Sequence, residues 1–207
     1  MFSGIIEAQS QILSENSAPQ AVRINLKKPL EFNDLKVGDS ICTNGICLTI
    51  EKFDDDSMQF CLGAETLKLL GTSILNWKNN SINLERSLRL GDRVHGHLVT
   101  GHVDCIARIA KSNADGECWQ LQIEIPAALK NYFWKKGSIC LNGVSLTVNE
   151  VYLQNGVSLV DVCLIPETIK KTNLTKLSAG DFACVEADYL AKAYLQQKEG
   201  VLAELNP

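Results

Sequence analysis

A chain of 207 residues with a net charge of −4 and no basic run has no electrostatic footprint for nucleic acid, and its apolar stretches are too short to span a membrane. The N-terminus lacks a secretory-signal pattern, so a soluble, cytoplasmic protein is expected, with room for one large domain or two small ones. Eight cysteines form no C-x-x-C pair and lie mostly in apolar runs, so they read as reduced, largely buried thiols. With only three histidines beside them, no zinc-ligand spacing and no metal are expected.

In chain order, residues 1–9 open on Ser3-Gly4-Ile5-Ile6, where glycine at a strand start lets a ligand or another strand approach closely. Val22, Ile24 and Leu26 alternate with Arg23, Asn25 and Lys27, the period of a half-buried strand, and residues 29–35 follow as a weak helical turn. Gly38-Asp39-Ser40 leads into Asn44-Gly45-Ile46-Cys47-Leu48-Thr49. Asn-Gly between apolar runs is a strong hairpin signal, because both residues tolerate φ > 0. A strand over 58–62 runs into Ala64-Glu65-Thr66, and residues 81–86, carrying Leu84-Glu85, close this half.

The same order then repeats. Val99-Thr100-Gly101-His102-Val103 matches the opening, and Trp119, Leu121, Ile123 and Ile125 form the alternating strand. Residues 126–133 predict a short helix with proline in its first turn. Lys136-Gly137-Ser138 leads into Asn142-Gly143-Val144-Ser145-Leu146-Thr147. A strand over 157–165 runs into Pro166-Glu167-Thr168, and residues 182–188 carry Val185-Glu186. Asp188 has Ser87 as its counterpart. The repeat and the many short strands predict an all-β fold of two tandem, similar small antiparallel barrels, with their junction near 91–96. From Tyr189 the period turns helical, with Leu190, Ala193, Tyr194, Gln197, Val201 and Leu205 three or four apart. This C-terminal helix needs a cover for its apolar side, either its own barrel or the same helix of sister chains. The expected divisions are a barrel over 1–97, a barrel over 98–188 and the C-terminal helix over 189–207.

The segments MFSGII, NGICLTI, GHLVTGHVD, KGSICLNGVSLTV and LIPETI together resemble riboflavin synthase, over nearly the whole chain and in the same order. The resemblance implies two similar six-stranded antiparallel Greek-key barrels per chain and an oligomerisation helix over 189–207 that holds a cofactor-free homotrimer, which dismutates two molecules of 6,7-dimethyl-8-ribityllumazine, one donating a four-carbon unit to the other. Duplication fits that reaction, since two copies of one substrate call for two copies of one pocket. The binding residues it implies in the N-half are Gly4, Ile5, Ile6, Cys47, Leu48, Thr49, Cys61, Leu62, Gly63, Ala64, Glu65 and Thr66. In the C-half they are Gly101, His102, Val103, Lys136, Ser145, Leu146, Thr147, Cys163, Leu164, Ile165, Pro166, Glu167 and Thr168. Ser145 with Asn142 is expected to order a hydroxyl or water at one ring, Cys47 with Ser40 to serve the other, His102 to relay protons, and Asp188 to add a polar contact. Asn142 stands where some relatives carry Asp, and an amide orients without accepting a proton. The partners implied are small-molecule substrate and sister subunits, with association with lumazine synthase left open. The rival class is a non-catalytic lumazine- or flavin-binding antenna protein, which is expected to lose the polar segment 96–102 that is intact here. A reductase flavin barrel is weaker, for no Gly-rich dinucleotide fingerprint follows.

Overall fold

The computed structural model describes residues 1–71, 77, 78 and 80–205, with 199–205 described as backbone only. The first unit is built from β1 (Ala8–Ser10), β2 (Ile12–Ala18), β3 (Ala21–Lys27), β4 (Ser40–Thr43), β5 (Ile46–Phe53), β6 (Ser57–Gly63) and β7 (Ile82–Arg86). Its strand order is β1-β7-β4-β5-β6-β3-β2, all antiparallel. β1 and β2 are one run parted at Gln11, whose carbonyl still accepts from Lys27 N–H. Because that run lies at both edges, the sheet curls on itself into a half-closed barrel.

The second unit uses β8 (Cys105–Asp115), β9 (Cys118–Ile125), β10 (Ser138–Leu141), β11 (Val144–Gln154), β12 (Val157–Leu164) and β13 (Phe182–Ala187), closed in the order β10-β11-β12-β9-β8-β13. Both units carry register shifts at matching places, between Ile50 and Lys52 in one and between Val148 and Glu150 in the other. Such bulges sharpen the bend a small barrel needs. Residues 126–133, predicted helical, hold a 3₁₀ turn over Ala127–Tyr132 with Pro126 at its N-cap. Two short helices close the rims, α1 (Ala64–Leu70) and α2 (Pro166–Lys171), and α3 (Tyr189–Leu205) ends the chain.

Alternation along each strand gives two cores. Ile24, Leu26, Ile41, Leu48, Ile50, Phe60, Leu62 and Leu84 fill the first, and Ile109, Leu121, Ile123, Ile139, Leu146, Val148, Val162 and Val185 fill the second. A third cluster joins Phe2, Cys42, Val99 and Cys140 between the barrels. All eight cysteines are free thiols, and burial pushes those of Cys42 and Cys140 well above the ordinary range and those of Cys105 and Cys184 up to about 12. No described helix is long and apolar enough to cross a membrane.

Candidate functional site

The two Asn-Gly hairpins stand back to back. Asn44, Gly45, Asn142 and Gly143 have φ of 46°, 89°, 46° and 83°, the primed-turn geometry that matches strand twist. A Cβ on Gly45 would lie 3.0 Å from Gly143 N, so the turns meet through bare main chain. An asparagine network seals them. Asn44 Oδ1 accepts from Asn83 N–H (2.8 Å) and Asn173 Nδ2 (2.9 Å), and Asn142 Oδ1 accepts from Cys184 N–H (2.8 Å). Asn83 Nδ2 donates to Asn142 O (3.0 Å) and Asn173 Oδ1 (2.9 Å). Buried amides must find partners, and the Asn142 amide finds them inside this network, while Ser145 Oγ has a different neighbour.

The segments leading into the barrels cross over. Phe2 N–H donates to Val99 O (2.8 Å) and Val99 N–H to Phe2 O (3.0 Å), tying the two straps together. Each strap then runs onto the other barrel. Ser145 N–H donates to Gly4 O (2.8 Å), and Cys47 N–H donates to Gly101 O (2.9 Å). Ile6 joins the second core, while Val103 and Ile106 pack on the first. The expected grouping by halves is therefore corrected: Gly4 and Ile6 belong with Ser145, and Gly101 and Val103 with Cys47. The small–Gly–apolar signal marked the close approach of another strand, and the strap pairing through Phe2 and Val99 directs it across.

Two buried glutamates clamp the straps. Glu85 on β7 accepts from Ser3 N–H (2.7 Å), Ser3 Oγ (3.0 Å) and Gly4 N–H (2.9 Å). Glu186 on β13 accepts from Thr100 N–H (2.8 Å), Thr100 Oγ (2.6 Å) and Gly101 N–H (2.9 Å). Burial raises the pKa of Glu85 against the pull of these donors, chiefly Ser3. The sequence marked both glutamates only as strand residues; a carboxylate at the same place in two apolar strands was the available signal.

In the second barrel, His97 Nδ1 lies 2.7 Å from Ser145 Oγ, while the buried Nε2 has no hydrogen-bond partner among the described residues. Burial lowers the His97 pKa and the charge of Asp188 opposes it, so the ring is neutral near pH 7. Asp188 also starts α3, its Oδ1 accepting from Leu190 N–H (2.9 Å). The sequence singled out His102 as the proton relay and held His97 only within the polar segment 96–102. His102 is exposed, and its N–H donates to Thr100 Oγ (3.2 Å).

The strand ladders open where the remaining residues expected to bind lie. β5 begins at Ile46 but pairs with β6 only from Ile50 onward, and β11 begins at Val144 but pairs with β12 only from Val148 onward. Cys47, Leu48 and Thr49 therefore flank one slot with Cys61, Leu62 and Gly63. Ser145, Leu146 and Thr147 flank the other with Cys163 and Leu164. Leu48, Leu62, Leu146 and Leu164 point into the cores and offer the slots their main chain alone. Ala64, Glu65 and Thr66 begin α1 at one rim; Ile165, the N-cap of α2, then Pro166, Glu167 and Thr168 stand at the other. Glu167 is exposed and paired with Lys171 (2.8 Å). Ser40 sits opposite Thr49, diagonal to Cys47 on the same outer face. With Ser3, Ile5 and Glu85 it lines a cleft of about 610 Å³ on the first barrel.

Lys136 occupies a strained position. Its φ is +69°, where the first half has Gly38 at +95°, and the two N–H groups make the same bond, to Val148 O (2.8 Å) and Ile50 O (2.9 Å). A side chain in this region costs about 1 kcal/mol or more, so Lys136→Gly is expected to leave stability unchanged or raised. If the ammonium serves the ligand, the same change weakens binding about tenfold, the loss of one charged hydrogen bond. Denaturant unfolding and ligand titration of one variant read the two effects separately.

A duplicated antiparallel barrel, with one nucleophilic side chain and one ladder opening per copy, is a pairwise small-molecule-binding architecture. The lumazine binding domain model matches twice, at residues 3–87 and 100–188. Riboflavin synthase of Photobacterium leiognathi is 34% identical over 95% of this chain and 88% of its own length, and that of Mycobacterium tuberculosis is 34% identical over 93% and 95%. The Bacillus subtilis riboflavin synthase is 33% identical over 93% of this chain and 87% of its own. The chain belongs to the riboflavin synthase family of double lumazine-binding-domain proteins. Crystal structures of LumP with riboflavin and with 6,7-dimethyl-8-(1'-D-ribityl) lumazine superpose with TM-scores of 0.79 and 0.76, each at 22% identity over 90% of this chain and 99% of theirs, a likeness of fold.

Proposed function

We propose that this chain is a riboflavin synthase. It binds two molecules of 6,7-dimethyl-8-ribityllumazine, one per barrel-type site, and transfers a four-carbon unit between them to give riboflavin and 5-amino-6-(D-ribitylamino)uracil. The observation that carries the reading is the Ser145–His97 pair: Nδ1 is engaged by the serine at 2.7 Å, and the buried Nε2 has no hydrogen-bond partner among the described residues, with burial lowering the pKa of the ring. Binding alone would not need a desolvated imidazole held in one orientation, whereas moving a proton near pH 7 does. Nε2 takes a proton from, or steadies a hydroxyl at, the ring in the second slot. Cys47, Ser40 and His102 attend the ring in the first. The lumazine C7 methyl is already acidic, because its carbanion delocalises into the electron-poor ring. The main task of the protein is to hold two rings in register, which is worth effective molarities of roughly 10⁵ to 10⁸ M.

The sites of a reacting pair are proposed to come from two subunits of a homotrimer. Leu190 and Tyr194 on α3 are 64% and 67% exposed, which supports assembly through this helix over packing on its own barrel. Ala193 and Gln197 of the expected stripe are exposed as well, and Val201 and Leu205 lie outside the described side chains. Ending the chain after Asp188 is expected to give a smaller species by light scattering and to abolish turnover; a truncated chain that keeps both mass ratio and rate would remove the helix from assembly.

A non-catalytic lumazine-binding protein is the second reading, favoured by the fold it shares with LumP. Solvent deuterium exchange into the lumazine C7 methyl separates the two. The synthase reading expects exchange faster than without protein, and lost in His97→Gln. Binding with exchange at the protein-free rate would leave the second reading standing.

A further inference from the structure

We infer that Glu85 and Glu186 are positioning residues that act crosswise: Glu85, on a first-barrel strand, sets the Ser145 site of the second barrel, and Glu186, on a second-barrel strand, sets the Cys47 site of the first. This inference rests on reading the two slots as lumazine sites.

The Gly4 peptide is pinned from both ends. Its N–H donates to Glu85 Oε2 (2.9 Å), and its carbonyl accepts from Ser145 N–H (2.8 Å). A second route runs through Ser3, whose N–H and hydroxyl both bind Glu85 Oε1. Ser3 O lies against Gly96, which also abuts Ser145 Oγ and directly precedes His97. Both routes from Glu85 end on the Ser145–His97 pair. Glu186 repeats the plan with the barrels exchanged. It holds Gly101 N–H (2.9 Å), and Gly101 O accepts from Cys47 N–H (2.9 Å). Thr100, bound to Glu186 through N–H and hydroxyl, also receives His102 N–H.

Each carboxylate accepts at least three hydrogen bonds and donates none. Only a group with two acceptor oxygens suits that cluster, because a glutamine would set its NH₂ against an N–H. Losing the clamp frees a strap whose other face is the nucleophile of the opposite barrel, so the effect surfaces there and not beside the mutated strand.

A double-mutant cycle tests the crossing. Glu85→Gln and Glu186→Gln are each combined with Ser145→Ala and Cys47→Ala, with affinity for 6,7-dimethyl-8-ribityllumazine read at each site by fluorescence titration. In the same proteins the three histidines are titrated by NMR. Glu85→Gln is expected to weaken one site about tenfold, to be non-additive with Ser145→Ala and additive with Cys47→Ala, and to move the His97 titration toward the ordinary value. Glu186→Gln gives the mirror pattern, coupling to Cys47→Ala. Coupling of Glu85 to Cys47, or additivity with both, overturns the crossing. If the glutamine variants do not fold, Glu85→Asp and Glu186→Asp keep the charge one methylene short and are read in the same way. Unmutated protein that binds no lumazine contradicts the ligand reading alone; the His97 response to Glu85→Gln still decides the crossing.

Discussion

Alanine at Gly4 or at Gly101 is expected to lower stability by about 3 kcal/mol, roughly 10 °C in Tm for a chain of this size, and to abolish ligand binding at the site the strap covers. Two costs combine. At φ of +75° and +79° a Cβ meets its own backbone. It would also lie 2.6 Å from the Cβ and 2.7 Å from the N of Ser145 in one case, and of Cys47 in the other. The obstacle is main chain on a barrel wall, which has no rotamer to yield with, so the strap must lift and the hydrogen bond from Ser145 or Cys47 N–H breaks. Gly91→Ala separates the two costs. Its φ is +98° with nothing within 4 Å of the added carbon, so it carries backbone strain alone, about 1 kcal/mol, and full binding. Denaturant unfolding and lumazine titration of the three variants check this. Equal losses for all three would mean that the close approach of strap and nucleophile contributes nothing.

The second large effect is on turnover and its pH dependence. His97→Gln is expected to reduce the rate by about 10² to 10⁴, the range for loss of a general acid–base group. In the unmutated protein the acid limb of the rate should fall below pH of about 6.5, the ordinary imidazole value, because burial lowers the His97 pKa. Asp188→Asn should push that limb lower still, since the Asp188 charge is what raises the value. Stability follows the same proton. A histidine whose folded pKa is depressed stabilises fully above its unfolded value, and that contribution is lost as pH falls through the folded one. His97→Gln should therefore flatten both the rate and the stability profiles in this window. An acid limb that survives in His97→Gln would assign the titration to another group.

The barrels were legible because their signals are local. Asn-Gly turns, alternating strands such as Val22–Ile24–Leu26, and a repeat in unchanged order depend on neighbours in sequence. The candidate binding segments came from the family resemblance and not from these signals, and the fold sets Cys47 and Cys61, and Ser145 and Cys163, on consecutive strands. What could not be read was which half each strap serves. Gly4 looks equally suited to approach Cys47 or Ser145, and the choice falls to the Phe2–Val99 pairing, a contact that spans nearly half the chain. The role of Asn142 was hidden likewise: its partners, Cys184 and Asn173, lie on distant elements. His97 shows the limit of reasoning from a repeat, for its contact with Ser145 Oγ has no equivalent at Cys47 among the described hydrogen bonds.

The measurement that tests the central claim most directly is absorbance-monitored incubation of purified protein with 6,7-dimethyl-8-ribityllumazine. Riboflavin appearing at one molecule per two lumazines consumed, and suppressed in His97→Gln, is the expected result. Saturable binding of the lumazine without any riboflavin would contradict it and leave a lumazine-binding protein that does no chemistry.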